Sequence, residues 1–228
     1  MQVIESSTLK FLRNLAEHND RDWFHQNKNI YQEEHSKIVD FVDGLLEEMR
    51  THDQISTISA KKSLMRIYRD TRFSKDKTPY NPRFGGSFSR VKPQLRGGYF
   101  FRIMPGATVV GGGFYGPSPE DLKLLRGQIA QDAIPLRQVI QSERFKMMFG
   151  DLQGDQVKTA PKGFSKEHAE IDLLRYKSMY VFRNFTDQEV LSENFKSEMI
   201  NTFIGLRPFF DVMTEYLTTD LNGISMID

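Results

Sequence analysis

The sequence predicts an α+β fold in which an antiparallel sheet of about four to six strands carries helices on one face. Three observations lead to this prediction. Apolar residues recur at helical spacing up to about residue 50, short aromatic or β-branched runs follow, and helical spacing returns after residue 117. The N- and C-terminal segments are therefore expected to be helical. Because no candidate linker interrupts the 228 residues, residues 1–228 are expected to form a single domain.

Two helices are predicted in the first fifty residues. Ser7 or Thr8 can cap a short first helix, whose apolar residues share one face. These apolar residues are Phe11, Leu12, Leu15 and Ala16. After a break at residues 18–20, Asp20 is a suitable N-cap for a long helix over residues 21–50.

Four short strands are predicted next. They cover residues 63–73, 86–91, 98–104 and 108–114. Each is rich in aromatic or β-branched residues, and Gly and Pro bound the set. Because the links between them are short, we expect antiparallel pairing in a meander.

Helical patterns return with Ser118, which is a cap residue followed by Pro119 and two acids. The helix that begins there is predicted to run towards Ser142, with a kink or split at Pro135. A long loop is expected at residues 150–163. The remaining predicted elements are a helix at 169–176, a strand at 178–182, and a helix at 192–217 that bends near Pro208.

The net charge of +1 conceals a strongly basic block. Residues 61–102 hold twelve Lys or Arg and two Asp or Glu, which is a net charge of +10. The flanking residues 1–60 carry a net charge of −5, and residues 187–228 carry −6. Such asymmetry points to an anionic partner for the block, or to its neutralisation by the acidic segments.

The composition removes several classes of protein. With no cysteine, disulfide frameworks, thiol catalysis and thiolate metal sites are excluded. The N-terminal residues do not resemble a secretory signal, and no apolar run is long enough to span a bilayer. We therefore expect a cytoplasmic protein without a membrane partner.

A row of polar side chains is predicted on the strand over residues 63–73. Alternation places Arg66, Tyr68, Asp70 and Arg72 on one face. If the strands pair, Arg102 can join this row from the strand at 98–104. Lys75 and Lys77 add mobile cations in the loop that follows.

This row predicts an anion site, because guanidinium groups bind phosphate and carboxylate groups in a bidentate manner. The expected ligand is a small molecule that carries one of these groups. If the protein is an enzyme, Asp70 is the candidate general base and Tyr68 the candidate acid or hydrogen-bond donor. The sequence identifies neither a reaction nor a cofactor. The alternative is a solvated face on which Arg and Asp form cross-strand pairs.

Two other uses of the basic block stay open. Aromatic residues among its cations suit phosphate contact combined with base stacking, as in a nucleic-acid-binding domain. These residues are Phe73, Tyr80, Phe84 and Phe88. The block can also meet an acidic protein partner, or the acidic helices of its own chain, in a non-catalytic interaction domain.

Other motifs carry less information. The run from Gly111 to Gly116 formally matches a dinucleotide-binding fingerprint, but the helix that follows opens with Glu120 and Asp121, which would repel a pyrophosphate. A strand end that needs glycine for a bulge or for a close backbone approach explains the run better. The five histidines lack metal-binding spacing, so no metal site is expected. Trp23 is expected to be a core anchor.

The chain resembles a family of domains of unknown function, DUF 2461, over residues 9–210. The segments that carry the resemblance are FLRNLAEHNDRDWFHQNKNIY, RIYRDTRFSKDKTPYNPRFGG, GYFFRIMPGATVVGGGFYGP and APKGFSKEHAEIDLLRYKSMYV. The resemblance implies a single compact domain and carries over no activity, cofactor or catalytic residue. It groups Trp23, Asn27, Lys28 and Tyr31 with the segment RIYRDTRFSKDKTPYNPRFGG. It also adds Lys162, a further cation if its loop folds over the basic face.

Overall fold

A computed structural model describes residues 3–227 and has an α+β fold, as predicted. Four strands form one antiparallel sheet in the order β1-β2-β3-β4. The strands are β1 (Phe84–Ser89), β2 (Gly98–Ile103), β3 (Thr108–Phe114) and β4 (Met179–Phe185). The helices before the sheet are α1 (Ser6–Glu17), α2 (Arg21–Gln26), α3 (Lys28–His52) and α4 (Ala60–Ser63). The later helices are α5 (Pro119–Gln131), α6 (Ile134–Gln141), α7 (Glu143–Phe149), α8 (Ile171–Leu174), α9 (Asp187–Val190), α10 (Phe195–Gly205) and α11 (Arg207–Thr218).

The chain divides into two compact units. The first unit comprises the chain up to Phe88 together with Phe100–Val110 and Asn184–Asn201. The second comprises Ser89–Tyr99, Gly111–Arg183 and the chain from Thr202 onward. Every strand of the sheet has residues in both units. The prediction of a single domain stays a prediction.

The N-terminal helices show why a pattern of apolar residues does not define helix boundaries. Asp20 caps α2 as predicted, because its side chain accepts a hydrogen bond from the Trp23 backbone N–H at 2.8 Å. The expected long helix is interrupted at Asn27, whose side-chain Nδ2 donates to the Trp23 carbonyl at 2.8 Å. Side-chain bonds of this kind compete with the helical hydrogen-bond pattern, so α3 begins anew at Lys28.

The first helix is also capped differently from the prediction. Its N-cap is Glu5, which makes no side-chain capping bond, rather than Ser7 or Thr8. The Thr8 hydroxyl instead donates to the buried Glu34 carboxylate of α3 at 2.6 Å. A tertiary hydrogen bond between α1 and α3 therefore occupies the group that was expected to cap.

The predicted strand over residues 63–73 is wrong. This segment makes only isolated bridges, from Leu64 to Gly86 and from Tyr68 to Tyr80. The second bridge shows that the chain folds back on itself before β1 begins. Asp70 and Asp76 bond backbone N–H groups within this loop, at 3.2 Å and 2.9 Å, and thereby compete with a ladder. The expected row of Arg66, Tyr68, Asp70 and Arg72 on one sheet face consequently does not form.

The glycines of β3 permit a close approach to β4, in agreement with the sequence interpretation. A Cβ atom on Gly111 would lie 2.0 Å from the Val181 carbonyl oxygen. One on Gly113 would lie 2.4 Å from the Tyr180 Cα. Contacts this short are impossible for any larger residue, so the glycine run serves strand packing.

Proline and serine residues lie at the starts and breaks of the later helices largely as predicted. Ser118 caps α5 through the Asp121 N–H at 3.1 Å, and Pro119 occupies its first turn. The helix splits before Pro135, since α6 begins at Ile134. Near Pro208 the chain ends α10 and begins α11, which is a break rather than a bend. Helix α7 was not predicted.

Each unit has its own aromatic core. In the first unit, the Phe88 and Phe101 rings lie 5.9 Å apart, and Phe41 stacks on Phe195 at 6.1 Å. In the second unit, the fully buried Tyr99 ring contacts Phe210 at 5.1 Å. Within residues 3–227, no helix has the length and apolar character needed to cross a membrane.

Candidate functional site

A concave site of about 500 Å³ lies in the first unit. One wall comes from α2 and the first turn of α3, and the other comes from residues 64–81, which we name the central loop. Its volume falls in the range of about 300–1,000 Å³ that is usual for ligand pockets. The charged and ionisable side chains that line it are Arg21, Asp22, His25, Lys28 and Arg69. The other lining residues are Phe24, Tyr68, Thr71, Pro79 and Tyr80.

The two walls are joined by one asparagine side chain. Asn19, just before α2, accepts a hydrogen bond from the Tyr80 N–H and donates one to the Tyr80 carbonyl, both at 3.0 Å. The amide side chain thus satisfies both backbone groups of a residue 61 positions away. This pair of hydrogen bonds fixes the end of the central loop against the start of α2.

Aromatic rings form the floor between the walls. The Phe24 and Tyr80 rings are buried and stacked, with centroids 4.0 Å apart and an interplanar angle of 17°. The Tyr68 ring leans against both, at 5.9 Å from Phe24 and 5.4 Å from Tyr80. Tyr68 is 56% exposed, in contrast to the two buried rings. Burial raises the pKa of Tyr80, and the neighbouring Tyr68 raises it further.

The cations of the helical wall carry no internal counter-ion. Within the described residues 3–227, the side chains of Arg21 and Lys28 have no hydrogen-bond or ion-pair partner. The same holds for the carboxylate of Asp22, which is exposed between them. His25 lies beside these groups, but no three His, Asp or Glu side chains of the described chain gather as a metal site. This wall therefore presents available positive charge and one available acceptor.

Two arginines of the central loop, Arg69 and Arg72, are held by carboxylates of the same loop. The Arg69 guanidinium donates to Asp76 at 2.5 Å and also to the Thr78 hydroxyl. Arg72 makes a bidentate pair with Asp70, at 3.0 Å and 2.7 Å. The hydrogen bond from Arg69 lowers the pKa of Asp76 to about 2. The bond from Arg72 likewise lowers the pKa of Asp70, which makes that carboxylate a weaker base.

Of the eight residues predicted to bind the ligand, all inside the described part of the chain, only Tyr68 lines the concave site. Arg66 and Lys75 are exposed and make no hydrogen bond or ion pair within that part. The Lys77 ammonium donates to the Thr71 carbonyl at 2.9 Å. Arg102 on β2 donates to the Ala107 carbonyl at 3.1 Å, and burial lowers its pKa. Lys162 is exposed in the second unit.

Part of the basic block is neutralised by the chain itself, as the sequence left open. In the second unit, Arg90 is fully buried and lies 3.5 Å from the Asp211 carboxylate of α11. Arg96 pairs with Asp121 of α5 in the same unit. These two arginines belong to structural ion pairs and are not exposed to a ligand.

Sequence reasoning missed the helical wall because it searched within the basic block. Arg21, Asp22 and His25 lie in a segment of net negative charge, where isolated cations attract no attention. One signal for the helical wall was present, since the family resemblance grouped Lys28 with the segment RIYRDTRFSKDKTPYNPRFGG. The break at residues 18–20 was a second signal, because it brings the wall and the central loop together through Asn19.

The fold and site together describe an α+β protein with a concave basic and aromatic site beside an irregular loop. The chain belongs to the family described as "Conserved hypothetical protein (DUF2461)", whose model matches residues 7–212. The match includes both walls of the concave site. No curated protein and no solved structure matches the chain.

Proposed function

We propose that the concave site binds a small ligand that carries a phosphate or carboxylate group. The observation that supports this proposal is the pair of cations without internal partners, Arg21 and Lys28, at the lining of one concavity. A ligand anion can supply the counter-charge that the protein does not. Hydrogen bonds to charged groups are stronger than neutral ones, so both cations would contribute to the affinity for an anion.

The other lining groups favour an oriented ligand over a loosely held ion. The Tyr68 hydroxyl offers a neutral donor opposite the helical wall, and the Arg69 guanidinium is held in position by Asp76 and Thr78. If the protein catalyses a reaction on the ligand, Tyr68 is the group best placed to donate a proton. Asp70 does not line the site and is paired with Arg72.

Thermal melting with simple anions tests this proposal. Phosphate and citrate are added at constant ionic strength, and sodium chloride replaces them in the reference sample. A ligand at a hundredfold excess over its Kd stabilises the folded state by about 2.7 kcal/mol, which shifts the melting temperature clearly. We expect a shift with phosphate or citrate that is absent with chloride.

Two variants locate the effect. The double variant Arg21→Ala/Lys28→Ala is expected to lose the shift, because it removes both available cations. Lys75→Ala is the matched control, since it removes an exposed cation that does not line the site and should keep the full shift. Equal shifts in the double variant and the wild type would contradict the proposal.

A second candidate function, single-stranded nucleic-acid binding, is favoured by one observation. The Phe73 side chain in the central loop is 96% exposed, and the Arg72 guanidinium lies 5.8 Å from the centre of its ring. Exposed rings beside cations are stacking platforms for bases. The expectation that several rings stack is wrong, because three of the four are buried. These are Tyr80, Phe84 and Phe88.

Fluorescence anisotropy with a labelled single-stranded oligothymidylate tests the second candidate. Binding should weaken steeply as salt is raised, because phosphate contacts release counter-ions. Phe73→Ala should weaken binding about tenfold, since stacking contributes about 1–3 kcal/mol per base, and Phe73→Trp should retain it. Equal affinity of Phe73→Ala and the wild type, or no binding at low salt, would rule out this use of the loop.

A further inference from the structure

We infer, on the basis of the proposed function, that the ligand joins a single phosphate to hydroxyl groups and a flat ring, as a nucleoside monophosphate does. The inference combines three kinds of group that line one concavity. They are two cations and one carboxylate that have no partner within residues 3–227, and one aromatic ring that is more than half exposed. Each corresponds to a different part of the ligand.

The ring is suggested by the state of the three aromatic side chains. Phe24 and Tyr80 are buried, and their faces are used against each other at 4.0 Å. Tyr68 is tilted by 51° from Tyr80 and keeps more than half of its surface exposed. A free Tyr68 ring at the edge of a basic concavity, with Pro79 also in the lining, offers a surface on which a flat ring can stack.

The hydroxyl groups and the single phosphate are suggested by Asp22. This carboxylate lines the site together with Arg21 and Lys28 but pairs with no group of the described chain. A carboxylate in an anion site repels additional phosphates and accepts hydrogen bonds from sugar hydroxyls. A monophosphate that carries a sugar therefore fits the lining better than a polyphosphate or an unsubstituted phosphate ion. A volume of about 500 Å³ leaves room for the whole molecule.

Isothermal titration calorimetry with a graded series of probes tests the inference on the full chain. The probes are inorganic phosphate, ribose 5-phosphate, adenosine monophosphate, adenosine triphosphate and adenosine. We expect adenosine monophosphate to bind at least tenfold more tightly than ribose 5-phosphate, through stacking on Tyr68. Ribose 5-phosphate should bind more tightly than phosphate. The triphosphate and the nucleoside without phosphate should both bind more weakly than the monophosphate.

Three variants at two exposed positions, Tyr68 and Asp22, assign the contributions without disturbing the core. Tyr68→Ala should remove the preference for adenosine monophosphate over ribose 5-phosphate, because both probes lose the hydroxyl but only the nucleotide loses stacking. Tyr68→Phe keeps the ring and is the matched control, since it lacks the hydroxyl but should retain that preference. Asp22→Asn should narrow the difference between the monophosphate and the triphosphate, since it removes the repelling charge.

The outcomes separate this inference from the proposed function. If phosphate binds and adenosine monophosphate binds no more tightly, the inference is overturned while the anion site stands. If Tyr68→Ala binds adenosine monophosphate as the wild type does, stacking on Tyr68 is likewise overturned. If none of the phosphorylated probes binds and citrate does not raise the melting temperature either, the proposed function itself fails.

Discussion

The two walls of the concave site differ in whether the cations that line it are paired with carboxylates. The central loop is dense in cations, yet Arg69 and Arg72 are each held by a carboxylate of the same loop. The helical wall is sparse in cations, yet Arg21 and Lys28 have no partner within the described residues. Among the cations that line the site, the one from the cation-rich loop, Arg69, is therefore paired, whereas Arg21 and Lys28 of the helical wall are not paired within the described residues.

The difference has a local geometric cause. In the central loop, turns bring Asp70 and Asp76 to hydrogen-bond distance from arginines two and seven residues away. On the helical wall, Arg21 and Asp22 are neighbours in α2, and adjacent residues of a helix point in different directions. A helix therefore keeps neighbouring opposite charges apart, whereas a loop lets them meet.

The largest effect on stability is expected when the two hydrogen bonds that join the walls are removed. Asn19→Ala removes two hydrogen bonds at 3.0 Å and leaves the N–H and the carbonyl of Tyr80 without their partner. We expect a loss of about 2 kcal/mol in the free energy of unfolding, measured by urea denaturation. Asn14→Ala, an exposed helix position, is the control and should change stability by less than about 0.5 kcal/mol. Equal values for the two variants would show that the joint contributes nothing.

A smaller effect is expected when a cation of the central loop is released. Asp76→Asn removes the negative charge that pairs with Arg69, which lines the concave site. Phosphate affinity, measured by calorimetry, should increase by about three- to tenfold because Arg69 becomes available. Asp70→Asn frees Arg72 outside the lining and should leave the affinity unchanged. A comparable gain in both variants would show that total charge, rather than position, controls binding.

The acid titration of Asp76 tests the same pair without a ligand. Its pKa is about 2, below the ordinary value of 3.8, so the pair stabilises the folded state above pH 3.8. This contribution is lost as the pH falls through about 2, where the folded-state carboxylate gains a proton. In Arg69→Gln, NMR of the side-chain carboxyl should show the pKa of Asp76 rising towards 3.8. Arg72→Gln should leave it unchanged, and a rise there would mean that the two pairs are coupled.

The smallest effect is expected for the exposed pair of Arg72 and Asp70. Their side chains are 77% and 56% exposed, so solvent screens the attraction. Arg72→Ala should change the free energy of unfolding by less than about 0.5 kcal/mol in urea denaturation. A loss above about 1 kcal/mol would show that the pair also organises the central loop.

Elements with strong local signals could be predicted from the sequence. Strand β3 has the predicted bounds, and α5 begins at the predicted cap because Ser118 bonds the Asp121 N–H three residues away. Residues 63–73 alternate as a strand does, but a strand also requires a partner with a continuous ladder. Their returning segment offers only the bridge from Tyr68 to Tyr80. The alternation of residues 63–73 was compatible with a strand, but it did not show whether a neighbouring strand was available to pair with it.

The candidate site was predictable in chemistry and only slightly in position. The sequence indicated that guanidinium, ammonium and tyrosine groups concentrate between residues 61 and 102. Tyr68 lines the concave site rather than a sheet face, and the lining cations without a partner in the described residues come from α2 and α3. Asn19 and Tyr80 join the helical wall to the central loop. These two residues are 61 positions apart, so local sequence patterns cannot predict their contact.

The sequence alone determined the caps at Asp20 and Ser118, because a cap depends on neighbours a few residues apart. It also determined the α+β class and the family, because these depend on patterns that run along most of the chain. Only the tertiary structure decided which cations remain unpaired and which rings are buried. Ion pairing and burial depend on distances in space, and those distances arise when the chain folds back on itself.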